Sequence, residues 1–171
     1  MGAQVKIARS RTLMGILLIF LASMAVAGQT GPPQPVTWTM QLDKAATTVK
    51  AGGTFEAIVT VKIDEGWHVY AADEVPAGPR PLLIALAEKS PFRAGGSLKA
   101  PDPDRDMDES FGQVTAFYKT DTTFRLPVAA PPALAAGAHD LAIDVAFQAC
   151  DGRLCLPARV ARLKTSVTIN K

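Results

Sequence analysis

Cys150 and Cys155 are the only cysteines in 171 residues, with four residues between them. They lie in Phe147-Gln148-Ala149-Cys150-Asp151-Gly152-Arg153-Leu154-Cys155-Leu156-Pro157, where an apolar run meets a turn signal and then a proline. Two cysteines this close can close a structural bridge, exchange that bridge with other thiols, or contribute to a metal site. Asp151-Gly152 lets the chain double back, so the spacing suits a short hairpin-like loop. Closing a ring of this size removes little unfolded-state entropy, worth about 2 kcal/mol in the chain-entropy account. A bridge serving stability does better across a longer loop, whereas one serving exchange needs access and a readily formed thiolate. Arg153 favours a thiolate by charge and Asp151 opposes it. At this point both a reactive and a structural bridge stay open.

Other chemistries have less support. The only histidines are His68 and His139, and a metal site would need both brought to the cysteine pair. No metal and no cofactor is therefore expected. Two histidines without a nucleophile elbow give no Ser/His/Asp arrangement, and no glycine loop is built to cradle phosphate. The acidic series Asp102-Pro103-Asp104-Arg105-Asp106 lacks the spacing and closing Glu of a calcium loop and is expected to be a solvated loop.

The elements that must position the cysteines have an apolar period of two almost throughout. Val36 to Leu42 alternates as a half-buried strand. Phe55, Ala57, Val59, Val61 and Ile63 share one face of the next strand, with Glu56, Thr60 and Lys62 on the other. Trp67 to Tyr70 and Leu82 to Leu86 are further strands. Ser90 to Asp108 is expected to be loop, followed by strands at Val114–Tyr118 and Thr122–Val128. His139 to Gln148 puts Leu141, Ile143, Val145 and Phe147 on one face, so that Cys150 leaves on the polar side, away from the core. Val160 to Ile169 closes the chain. With no convincing amphipathic helix, about seven to nine short strands point to an all-β, immunoglobulin-like sandwich.

Residues 1–27 are expected to be a cleaved export signal. Lys6, Arg9 and Arg11 precede an apolar stretch from Leu13 that ends in the small-x-small pattern Ala25-Val26-Ala27. That stretch falls short of the roughly 20 residues that span a bilayer. Residues 28–35 form a flexible, Pro-rich lead-in, and residues 36–171 one sandwich domain. The signal carries three of the 18 basic residues and none of the 16 acidic ones, so the remaining chain is close to neutral. No basic stripe is left for nucleic acid. A soluble, monomeric protein of the periplasm or another exported compartment is expected, where disulfides persist.

The cysteine hairpin, from Phe147 to Pro157, resembles the active-site hairpin of the N-terminal periplasmic domain family of the thiol:disulfide interchange protein DsbD. Gly66-Trp67-His68-Val69-Tyr70 with Pro79-Arg80-Pro81-Leu82 resembles that family's early strands, and Asp108-Glu109-Ser110-Phe111-Gly112 its cap-loop region. The resemblance covers roughly Val36 to Ile169. It implies protein-disulfide reductase activity, with a dithiol that relays electrons between thioredoxin-like partners. It implies that Cys155 forms the mixed disulfide and that Cys150 resolves it. Phe111 would be the aromatic cap, although some members carry that aromatic one position earlier, where this chain has Ser110. Asp108 and Glu109 match acidic residues that hold the thiol pKa up, Tyr70 matches a pocket aromatic, and His68 replaces another. Four residues separate the cysteines where some members have five. The family's membrane-embedded electron carrier is not among these 171 residues, so a donor acting in trans is expected. The alternative is a non-catalytic immunoglobulin-like binding module with a structural disulfide.

Overall fold

The computed structural model describes residues 1–2, 34–43 and 48–171. The expected export signal and its cleavage pattern lie outside the described residues. The chain divides into the units Met1–Pro33 and Gln34–Lys171, and every strand described belongs to the second. In chain order these are β1 (Val36–Leu42), β2 (Thr48–Lys50), β3 (Thr54–Ile63), β4 (His68–Tyr70), β5 (Leu83–Leu86) and β6 (Arg93–Ala94). There follow β7 (Asp104–Asp108), β8 (Gln113–Tyr118), β9 (Thr122–Ala129), β10 (Gly137–Phe147), β11 (Ala149–Cys150) and β12 (Arg159–Asn170).

Three four-stranded sheets result, with orders β1-β3-β9-β6, β2-β12-β10-β5 and β11-β4-β8-β7. The first two supply the facing layers of the immunoglobulin-like sandwich. β3 buries Phe55, Ala57, Val59 and Val61, and its neighbour β9 adds Phe124, Leu126 and Val128. From the second sheet, β10 contributes Leu141, Ile143 and Val145, and β12 contributes Val167 and Ile169. All of these belong to one apolar cluster, and each follows from the period-two pattern of its strand. The third sheet adds Val69, Ala116, Tyr118 and Ala149 to the same cluster.

The all-β expectation holds, and the strands are more numerous than the pattern of apolar residues indicates. Ser90 to Asp108 is not simply loop, because it contains β6 and β7. β7 exposes Asp104 to Met107 and buries only Asp108, so it carries no apolar alternation. It is held instead by backbone pairing, with Asp104 opposite Phe117 and Asp108 opposite Gln113. The acidic cluster is therefore partly an exposed edge strand. β2 and β11 are too short for periodicity to declare itself.

Ile143 is fully buried at the centre of β10, between β5 and β12. Ile143→Ala should cost about 2–5 kcal/mol in denaturant unfolding, the range for truncating a large buried aliphatic side chain. A loss below about 1 kcal/mol would mean that this position is not tightly packed.

Candidate active site

The site is built on the sheet β11-β4-β8-β7, and strand alternation gives that sheet two working faces. Val69, Ala116, Tyr118 and Ala149 point into the sandwich core. The residues between them point the other way. Cys150 pairs with His68 across β11 and β4, and Tyr70 pairs with Phe117 across β4 and β8. Tyr70, Phe117 and Cys150 form a second buried cluster, against which Phe111 and Cys155 pack partly buried. Residues 115–118 are consequently all buried, odd positions on the site face and even ones on the core face.

Cys150 and Cys155 are disulfide-bonded, with Cα atoms 4.1 Å apart. Leu156 N donates to Ala149 O at 2.9 Å and Asp151 N donates to Leu154 O at 3.1 Å. The cysteines thus face each other as a non-hydrogen-bonded antiparallel pair, the arrangement with the shorter cross-strand distance. The expected turn is present. Asp151 Oδ1 accepts from Leu154 N at 2.7 Å and from Arg153 N at 2.9 Å, and Gly152 adopts a left-handed φ of 85°. Those two amides, Leu154 foremost, hold the Asp151 carboxyl below the usual carboxylate range. Gln148 fastens the base of the hairpin. Its Nε2 donates to Leu156 O at 3.3 Å and its Oε1 accepts from Arg80 N at 2.8 Å.

One expectation needs correction. Strand parity takes Cys150 to a polar side, but Cys150 is 0% exposed. β10 ends at Phe147, and the chain resumes as β11 on a different sheet. Cys150 is off the main core as expected, yet it enters an aromatic cluster rather than a polar surface. Cys155 keeps partial exposure.

Asp108 organises the loop over this cluster. Its Oδ2 accepts from the Tyr70 hydroxyl at 2.6 Å and from Thr115 Oγ1 at 3.3 Å, and its Oδ1 accepts from Ser110 N at 2.9 Å. Its carbonyl accepts from Phe111 N and Gly112 N, and Gly112 closes the turn at a left-handed φ of 65°. Phe111 is thereby carried to Tyr70, ring centroids 5.9 Å apart and edge-to-face. Burial, and then the hydrogen bond to Asp108, pushes the Tyr70 phenol well above its ordinary value. Glu109 is exposed and makes no ion pair or side-chain hydrogen bond among the described residues, so it is not gathered into the cluster.

The His68 ring lies 5.0 Å from both Tyr70 and Phe117. Its Nε2 is buried and lacks a hydrogen-bond partner in this disulfide form. Burial lowers its pKa, Asp108 and Asp151 oppose that shift, and Lys119 adds to it. Lys119 also places its Nζ 4.7 Å from the Phe117 ring centroid. Sequence reasoning passes over Phe117, Thr115 and Gln148. The unbroken run Ala116-Phe117-Tyr118, facing an aromatic strand, is the signal that identifies Phe117. His139 lies elsewhere on the surface, its Nε2 2.7 Å from Ala135 O. Among the described residues no group of three or more His, Cys, Asp and Glu is placed to hold a metal.

With this geometry in place, one comparison is decisive. The family described as "Thiol:disulfide interchange protein DsbD, N-terminal" matches residues 37–166. The chain belongs to that family. A search among curated proteins found no match. Among solved structures, the reduced N-terminal domain of DsbD from Neisseria meningitidis is 17% identical, with 77% of this chain and 86% of that chain covered and a TM-score of 0.49. The N-terminal periplasmic domain of ScsB from Proteus mirabilis is 13% identical over 78% of this chain, with a TM-score of 0.48. This chain covers only 45% of the ScsB structure. The family match, together with the Cys150–Cys155 bond, supports a module for thiol–disulfide exchange. No helix among the described residues is long and apolar enough to cross a membrane.

Two outcomes follow from the hydrogen bonds. Asp108→Ala strands the Tyr70 hydroxyl, a loss of about 1–3 kcal/mol, and releases the Phe111 turn. Reduction of the disulfide by dithiothreitol should then be severalfold faster than in the parent protein, whereas an unchanged rate would mean that the turn does not shield the bridge. For Asp151 the folded pKa is depressed. Its hold on the hairpin is complete above the unfolded carboxyl pKa of about 3.9 and is lost as pH falls through the folded value. The amide shifts of Arg153 and Leu154 in NMR should titrate with a midpoint below that of an ordinary Asp, and a midpoint at or above it would contradict the turn geometry.

Proposed function

We propose that this domain is an exported thiol–disulfide exchange module whose Cys150–Cys155 pair relays electrons between thioredoxin-like partners in the periplasm. The observation that carries the reading is the unequal burial of the two cysteines in a chain of this family. Cys155 retains exposure while Cys150 has none. A partner thiolate reaches Cys155, and the new sulfur–sulfur bond forms as Cys150 leaves and takes up a proton. A second partner thiol attacks the mixed disulfide, Cys155 leaves in its turn, and the partner departs as a disulfide. Two electrons and two protons have passed to the domain, and the reverse sequence delivers them to an oxidised acceptor. Phe111, seated edge-on against Tyr70, is the cap that a partner must displace. Asp108 sets the cap's position, and Tyr70 and His68 line the pocket beneath it. A membrane-embedded electron carrier is the donor that this scheme calls for.

The complete burial of Cys150 also favours a second reading, a binding module with a structural bridge. Two measurements separate them. Cys150→Ala should leave Cys155 able to trap a thioredoxin-like partner as a mixed disulfide, and a folded variant that traps none would count against exchange. The equilibrium potential of the pair should fall near about −200 to −270 mV, within reach of thioredoxin-like proteins. A value below about −300 mV would mark the bridge as structural.

A further inference from the structure

We infer that His68 is the proton acceptor for the Cys150 thiol when that thiol resolves a mixed disulfide held on Cys155. The inference rests on the exchange function proposed above and adds to it a group that moves the proton. Cys150 is buried among Tyr70 and Phe117, where neither water nor an exposed carboxylate reaches its sulfur freely. A buried thiol resists ionisation, so a resolving cysteine in such a place needs a base. His68 is the residue directly opposite Cys150 in the β4–β11 pairing, and side chains of directly opposed residues share a face. Its ring is fixed there by Tyr70 and Phe117, the two side chains that enclose Cys150.

The decisive detail is Nε2. It is buried and unpartnered while the cysteines are oxidised. A buried polar atom without a partner is costly, and the disulfide offers it no thiol proton. Reduction creates an S–H donor on the neighbouring strand, which supplies what the ring nitrogen lacks. Charged and titratable groups reach His68 from every element around it. Tyr70 lies on its own strand, Asp108 is on β7, Lys119 follows β8, and Asp151 is in the hairpin. Their signs largely oppose one another. Burial therefore decides the balance, keeping the imidazole neutral and able to accept a proton at neutral pH.

The step balances. His68 Nε2 takes the proton from Cys150 Sγ as that sulfur attacks Cys155 Sγ. The Cys150–Cys155 bond forms, the bond from Cys155 to the partner sulfur breaks, and the partner leaves as a thiolate. Over the full cycle the pair loses two electrons to the partner disulfide. The protonated imidazole then passes its proton to solvent when the cap region opens. In the reducing direction the same nitrogen returns a proton to the departing Cys150 thiolate.

The test uses the full reduced protein and the chromogenic disulfide dithiobis-nitrobenzoate. Attack by Cys155 releases one nitrobenzoate thiolate, and resolution by Cys150 releases the second, so the two phases report the two cysteines separately. In the parent protein the second phase should be nearly independent of pH between the pKa values of His68 and Cys150. In His68→Phe it should be slower by about tenfold or more near neutrality, in keeping with the loss of a general base. There it should also climb about tenfold per pH unit, because the thiolate population alone then sets the rate. The first phase, set by Cys155, is the reference against which the second phase of each variant is read. His68→Gln keeps a polar side chain without a base and should behave as His68→Phe does, which preserves the comparison if the Phe variant does not fold. Equal second-phase rates and slopes in the parent and a folded variant would overturn the role of His68 while leaving the exchange function standing. Absence of the first phase in the parent would take both down.

Discussion

The site depends on the requirement that one small sheet bury both of its faces. β4 and β8 are neither edge strands nor half-solvated ones. Each sends alternate side chains into the sandwich core and to the disulfide, so Val69 and Tyr118 pack inward while Tyr70 and Phe117 pack outward. A strand with two apolar faces is locked in register, because a slip of one residue exchanges the two sets. The same packing that closes the sandwich therefore aligns Tyr70, Phe117 and Cys150. No separate scaffold is needed to fix the aromatic surroundings of the thiols.

Much of the sandwich is legible in the sequence because its long strands have one buried and one open face. Phe55 to Ile63 and Leu141 to Phe147 announce themselves by strict alternation, and their partners in the fold agree. The third sheet is harder to read for a physical reason. Burial on both faces erases the alternation in residues 115–118, and the exposure of Asp104 to Met107 erases it in β7. The cysteine hairpin is legible from its turn chemistry, since Asp151-Gly152 is what such a turn demands. The environment of Cys150 is not, because a strand parity carried beyond Phe147 cannot anticipate that the chain changes sheets at Gln148. The resemblance names Asp108, Phe111, Tyr70 and His68, and the fold gathers these four about the bridge while leaving Glu109 in solvent. Phe117 and Thr115 complete the pocket through pairings between strands distant in sequence, which periodicity alone does not reveal.

The energetic roles divide in a consistent way. The bridge closes too small a ring to stabilise the fold by more than about 2 kcal/mol, while the core of the two main sheets is continuous and does not include Cys150. The packing that keeps the domain folded is thus separate from the bridge. Local hydrogen bonds add to the burial of Ala149, Cys150 and Leu156 in holding the hairpin in shape. Asp151 orders its tip and Gln148 its base, through bonds in which the sulfurs take no part.

The turn from Asp108 to Gly112 has a further consequence. It is attached through one carboxylate and one carbonyl, and Phe111 belongs to the small cluster and not to the large one. This makes the turn a separate opening unit, whose release costs a few hydrogen bonds and one aromatic contact rather than a share of global unfolding. Fluctuations there belong to the class of loop motions, faster by orders of magnitude than the loss of the sandwich. In the proposed capping scheme, access to the sulfur and domain integrity are governed by different barriers. A destabilised core would shorten the lifetime of the molecule without changing how often this turn opens.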